Sequence, residues 1–130
     1  MRVSVLRLLC ILTASGCAQL PRESPEHAAR MHQAGETYAQ CLAAHAEKVI
    51  RNPVPAEEIA TAAHGYCWPA WQAYREAARA NFFFDTRTTE EKQFANDRTV
   101  AHLRDFEQEA RRVLVDSVID RSMKAGAVDR

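Results

Sequence analysis

The sequence predicts an all-α protein, a small bundle of three or four helices built on a disulfide-linked helical hairpin with a kinked second helix. Three observations predict it. Apolar residues recur at helical spacing over about residues 25–51, 56–81 and 88–125. The run Asn52-Pro53-Val54-Pro55 separates the first two stretches as a strong helix break. Cys41 stands 12 residues before Pro53 and Cys67 stands 12 residues after Pro55. No strand pattern competes, because Val113-Leu114-Val115 is short and lies inside a charged helical stretch.

The first helix runs from about Pro25 to Arg51. Ser24 suits its cap and Pro25 its first position. Met31, Ala34, Tyr38, Cys41, Leu42, His45 and Val49 form its inner stripe, with Gln33, Glu36, Gln40, Glu47 and Arg51 opposite. The second helix runs from about Ala56 to Asn81. Glu57 and Glu58 occupy its first turn, where the helix dipole favours acids. Its expected inner stripe is Ile59, Ala63, Tyr66, Cys67, Ala70, Tyr74 and Ala77. The Pro69 ring would clash with the Gly65 carbonyl four residues back, so a kink or short break is expected there.

Phe82 to Arg87 reads as the connection to a third helix. Thr88-Thr89-Glu90-Glu91 has capping-box spacing. Val100, Leu103, Phe106, Ala110, Val113, Leu114, Ser117 and Val118 form the expected inner stripe, and Glu107–Arg111 and Asp120–Lys124 are i,i+4 pairs. A continuous helix to Ala125 would be about 55 Å long and would outreach the hairpin. It must overhang, meet something else, or break. A break near Asn96 or Asp97, which compete for local hydrogen bonds, would produce four helices.

The two cysteines sit at equal counts from the turn of an antiparallel hairpin and therefore at the same height. A bridge between them would staple a core rich in alanine, which buries little apolar area per residue. With 130 residues the chain has room for one domain. Lys+Arg and Asp+Glu both number 17, and this balance excludes nucleic-acid binding through bulk positive charge. Four glycines, none in a Gly-rich loop, leave no phosphate cradle.

The amino end divides the chain into residues 1–16, 17–24 and 25–130. Arg2 and Arg7 precede the apolar run Leu8-Leu9-Cys10-Ile11-Leu12, and small residues follow, which is the layout of a secretory signal. The run is far below the roughly 20 residues of a spanning helix. Ala14-Ser15-Gly16-Cys17 resembles the lipobox of bacterial lipoproteins. The departure is Ala14, where that family prefers Leu. The same stretch also suits the ordinary signal peptidase, which would leave Cys17 an unmodified thiol.

The resemblance implies cleavage after a signal peptide of residues 1–16. Cys17 would carry the lipid and residues 17–24 would tether a helical domain of residues 25–130. It implies a bacterial membrane lipoprotein facing the periplasm. Ala18, in place of Asp, resembles the pattern sorted to the outer membrane. Cys10 would leave with the signal and Cys17 would take acyl chains. Cys41 and Cys67 would then remain as an even pair in an oxidising compartment.

Trp68 projects on the helix-two side that carries Thr61, Gln72 and Arg79. A large aromatic on a polar face suggests a contact site, although the third helix could pack over it or the Pro69 bend could turn it inward. Phe82, Phe83 and Phe84 point about 100° apart and cannot share one face. The inter-helix joint is their ordinary role, and a partner or a membrane surface is the alternative. Trp68, Phe82, Phe83 and Phe84 are therefore the candidate partner-binding residues. Among His27, His32, His45, His64 and His102, no two have the i,i+3 or i,i+4 spacing of helical metal ligands. His45 and His64 lie at similar heights on the two hairpin arms, and each has an ordinary reading as a hydrogen-bonded histidine.

No serine elbow, HExxH or CxxC motif occurs. The expected function is non-enzymatic, without cofactor or metal. The protein would be an accessory or adaptor module held at the membrane by its lipid and binding an envelope protein. The alternative is a small-ligand or metal-binding periplasmic protein using the helix-two cleft and its histidines.

Overall fold

The Ser24 side chain accepts the His27 backbone N–H at 3.4 Å, and Pro25 follows in the first turn, so the first helix starts where a cap and a preset φ coincide. The computed structural model describes residues 24–50 and 54–128. The expected signal peptide (residues 1–16), Cys10 and the expected lipidation position Cys17 lie outside the described residues. Four helices follow in order: α1 (Pro25–Val49), α2 (Ala56–Tyr66), α3 (Trp68–Phe82) and α4 (Thr89–Val128). Among the described residues no strand occurs.

The expected kink in the second helix is a break of one residue. Cys67 has φ −89° and ψ 14°, which ends α2 and begins α3. Pro69 then falls in the first turn of α3, where the N–H it lacks would have had no intrahelical acceptor. The Cys67 N–H still donates to Ala63 O, and Trp71 N–H donates to Cys67 O. The two segments thus stay in line while the proline ring escapes the clash.

Asp85, at φ 59°, turns the chain after α3, and Arg87 Nη2 donates to its Oδ1 at 2.8 Å. Glu91 Oε2 accepts the Arg87 and Thr88 backbone N–H groups at 2.6 and 2.9 Å, while Glu91 N–H donates to Thr88 Oγ1 at 3.1 Å. This is the capping box the sequence predicts. The Thr88 and Arg87 amides hold the Glu91 carboxyl below the usual carboxylate range.

α4 is continuous for 40 residues, about 60 Å, through Asn96 and Asp97. The expected break there does not occur. Four helices arise instead from the split at Cys67. Arg121 Nη1 reaches Glu47 at 2.8 Å, and about two further turns of α4 extend past it.

α1 and α4 ascend while α2 and α3 descend between them. The disulfide Cys41–Cys67 ties α1 to the α2–α3 break, with Cα atoms 5.9 Å apart. The core runs through Tyr38, Leu42 and Ala46, then Ile59, Ala60 and Ala63, then Cys67, Trp71 and Tyr74, closed by Leu114 and Val118. Five of the thirteen buried apolar residues are alanine, so aromatic rings and the disulfide supply what the aliphatic core lacks.

Three expected inner residues face outward. Tyr66 is 64% exposed, Val100 58% and Val113 53%. The buried row of α2 and α3 is Ile59, Ala63, Cys67, Trp71, Tyr74 and Ala78, in steps of three and four, and Tyr66 falls one residue to the side of it. On α4 the covered row is Ala95, Thr99, Leu103, Phe106, Ala110, Leu114 and Val118. Its steps are mostly of four residues, longer than the 3.6 of a helix turn, so the contact face winds slowly around α4. Val100 and Val113 fall just beside it.

Candidate functional site

The aromatic centre is built by all three layers of the hairpin and α4. Tyr38, Trp71, Tyr74 and Phe106 pack ring to ring, with centroids 5.1 Å apart for Tyr38–Trp71 and 4.3 Å for Tyr74–Phe106. Gly35 makes this possible. A Cβ on it would stand 3.1 Å from Tyr74 Cε2 and 3.2 Å from Phe106 Cζ.

Each tyrosine carries its hydroxyl to a histidine. Tyr38 Oη lies 2.7 Å from His64 Nδ1, and Tyr74 Oη lies 2.7 Å from His102 Nε2. Burial pushes both phenols up to about 12, helped at Tyr38 by the negative charge of Glu107. Both hydroxyls therefore keep their protons at neutral pH, and each shares a hydrogen bond with the facing imidazole nitrogen. His64 Nε2 lies 3.9 Å from Glu107 Oε1. Burial, then the nearby Arg98 charge, holds His102 below its ordinary value. The two pairs are hydrogen-bonded ties, one between α1 and α2, the other between α3 and α4.

The structure does not bring His45 and His64 together. His45 stacks on Tyr66 at 4.6 Å, whereas His64 is committed to Tyr38. Among the described residues no group of three or more His, Cys, Asp or Glu side chains converges as metal ligands. Arg111, expected beside Glu107, instead crosses to α2 and binds Glu57 at 2.7 Å. Lys124 does pair with Asp120, at 2.6 Å.

Trp68 is 45% exposed, with its ring edge-on to His64. α4 does not cover it. It opens α3 whereas Phe82 closes that helix, about 21 Å away along the axis. The four candidate residues are therefore two separate places. The three phenylalanines splay as their spacing requires. Phe82 meets His102 at 5.1 Å, Phe83 lies under Arg79 at 5.1 Å, and Phe84 meets His27 of α1 at 5.1 Å.

A surface that the sequence reading missed lies between α1 and α4. Ala39, Leu42 and Ala43 form one wall, and Phe106, Ala110, Val113, Leu114 and Ser117 form the other. The cavity between them is about 250 Å³. Its lining is apolar except for Glu109 and Ser117. Two signals in the sequence point to it, the small pair Ala39/Ala43 at i,i+4 on α1 and Val113 beside the buried row of α4. Neither names a groove until the two helices are set side by side. Arg112, next to Val113 in the chain, is held by Glu109 at 2.6 Å and Asp116 at 3.1 Å, which leaves one net negative charge in that cluster.

Among the described residues, no helix is long and apolar enough to cross a membrane. No family model, no curated relative and no solved structure matches this chain.

Proposed function

We propose that this chain is a lipid-tethered, non-enzymatic adaptor. Its anchor is Cys17, its domain faces the periplasm from the outer membrane, and its α1–α4 groove receives an amphipathic helix of an envelope protein. The observation that carries this reading is the apolar groove of about 250 Å³ walled by Ala39, Ala43, Ala110 and Val113. Small side chains on both walls admit a third helix at close distance, and ridges from that helix fit between the two existing rows. Leu42, Phe106 and Leu114 at the base favour an apolar stripe. The groove lining is apolar except for Glu109 and Ser117, so the occupant is selected chiefly by its apolar face. The reading moves the docking face from Trp68 and Phe82–Phe84 to α1 and α4.

The test places a photo-crosslinking side chain at Val113 in the full-length protein in its own membrane, with a second at Trp68. The expected result is one envelope protein joined at Val113 through a helical segment, its contact sites three or four residues apart. Ala43→Trp, which fills the groove without entering the core, should abolish the product while leaving the circular dichroism spectrum intact. Adducts at Trp68 that survive Ala43→Trp would overturn the groove as the docking face. A small apolar molecule of defined mass, bound to the parent protein and expelled by Ala43→Trp, would replace the adaptor with the ligand-binding alternative.

A further inference from the structure

The chain enters the bundle at the end where α3 turns into α4. His27, in the first turn of α1, has its ring 5.1 Å from that of Phe84 in the turn. Phe94 lies on the same end, early in α4, where it is 49% exposed, and Phe84 is 36% exposed. Arginine side chains lie along Phe94 and along the neighbouring rings of Phe82 and Phe83. The Arg98 guanidinium sits 5.0 Å from the Phe82 centroid and 5.8 Å from that of Phe94. The Arg79 guanidinium sits 5.1 Å from the Phe83 centroid.

Two exposed rings, Phe84 and Phe94, with the Arg98 guanidinium against the second, suit the boundary between lipid headgroups and acyl chains. Over residues 24–30 and 79–98, basic and acidic residues are equal in number. This end has apolar surface to insert and no net charge to be attracted or repelled.

We propose that this end of the bundle rests on the bilayer, with Phe84 and Phe94 entering the headgroup–acyl boundary and α4 rising away from it. The proposal rests on the lipid anchor at Cys17. From that position, residues 18–24 reach at most about 25 Å when extended. The opposite end, at Ile50, lies about 37 Å up α1. The anchor therefore holds the Phe84 end nearest the lipid, and the exposed rings turn nearness into contact. Ala39, the first groove residue, lies about 21 Å up α1 from Pro25, clear of the headgroups. The domain then stands as a post about 60 Å tall, with its docking face open to the periplasm.

The acylated full-length protein, its intact mass measured, is reconstituted into phosphatidylcholine vesicles with brominated acyl chains, which quench tryptophan on contact. Phe84→Trp, Phe94→Trp and Met123→Trp are compared, with native Trp68 and Trp71 as a constant background. Circular dichroism matching the parent establishes that each variant is folded. The first two variants should lose about half of their added emission, and Met123→Trp none, as expected of side chains a few ångströms into the boundary. The pattern should be the same in high salt, because the end carries no net charge. Equal quenching at all three positions, or none in acylated protein, overturns the orientation and leaves the anchor standing. A mass without acyl chains overturns the anchor, and the proposal with it.

Discussion

The hydroxyl of Tyr74 on α3 lies 2.7 Å from Nε2 of His102 on α4, a hydrogen bond that ties the two helices at a partly buried imidazole. Burial, followed by the Arg98 charge, holds His102 below its ordinary 6.5. The unfolded chain then takes up the proton more readily than the folded one. The stability associated with His102 is complete above about pH 6.5 and is lost as pH falls through the lower folded value. Chemical unfolding across that range should show declining stability toward acid. His102→Gln, which cannot titrate, should flatten the decline. An equally steep decline in His102→Gln would place its origin elsewhere.

At alkaline pH the direction reverses. Tyr38 and Tyr74 are raised from 10 to about 12, so the unfolded chain loses these protons first. Their contribution is complete below pH 10 and is lost as pH rises through 12, on the order of 2 kcal/mol for each ring. Absorbance titration of phenolate should show two tyrosines ionising together with unfolding. In Tyr74→Phe only one should do so.

Reducing Cys41–Cys67 should destabilise the domain by about 3–4 kcal/mol, from the entropy of a loop of this length. With five of the thirteen buried apolar residues being alanine, that is a large share of a small domain's stability. Thermal unfolding with and without reductant, and of Cys41→Ser/Cys67→Ser, should agree. A melting temperature unchanged by reduction would remove the staple from the account.

Gly35→Ala sets two effects against each other. Alanine favours the α1 helix by about 1 kcal/mol over glycine. Its Cβ would meet Tyr74 Cε2 at 3.1 Å and Phe106 Cζ at 3.2 Å. Tyr74 cannot retreat, because its ring is buried and its hydroxyl is held by His102. Overpacking costs about 1–3 kcal/mol, so the net should be a loss of about 1 kcal/mol. Phe106→Leu in the Gly35→Ala background should recover part of it, measurable as a positive coupling in a double-mutant cycle.

Adjacent residues on α4 should respond in opposite ways. Val113→Asp, at a position 53% exposed, should change stability by no more than about 0.5 kcal/mol. Leu114→Ala, at a position 6% exposed, should cost about 2–4 kcal/mol. Urea unfolding of the two variants measures the rotational phase of α4 directly.

Several features were legible because their causes are local. Ser24 and Pro25 start α1, and Thr88 with Glu91 starts α4, through hydrogen bonds spanning three or four residues. Pro69 forces a break through a clash four residues back, and the break appears at Cys67. The position of Cys41 and Cys67 was legible by simple counting from the prolines. Asn96 and Asp97 misled because their competing local hydrogen bonds are weaker than the packing that holds α4 straight on both sides of them. Arg111 misled because Glu107 and Glu57 are both within its reach, and spacing along one helix says nothing of the second.

From its order of residues alone, this protein determines where helices begin, where they break and which two sulfurs meet. Those outcomes depend on backbone chemistry over a few positions. Only the assembled structure decided that Trp71 turns inward and Tyr66 outward. It likewise decided that each tyrosine finds its own histidine and that α1 and α4 leave an apolar groove between them. Periodicity defines a face to within about one residue. A single residue of phase separates Val113 from Leu114, and the phase is set by the neighbour each helix packs against.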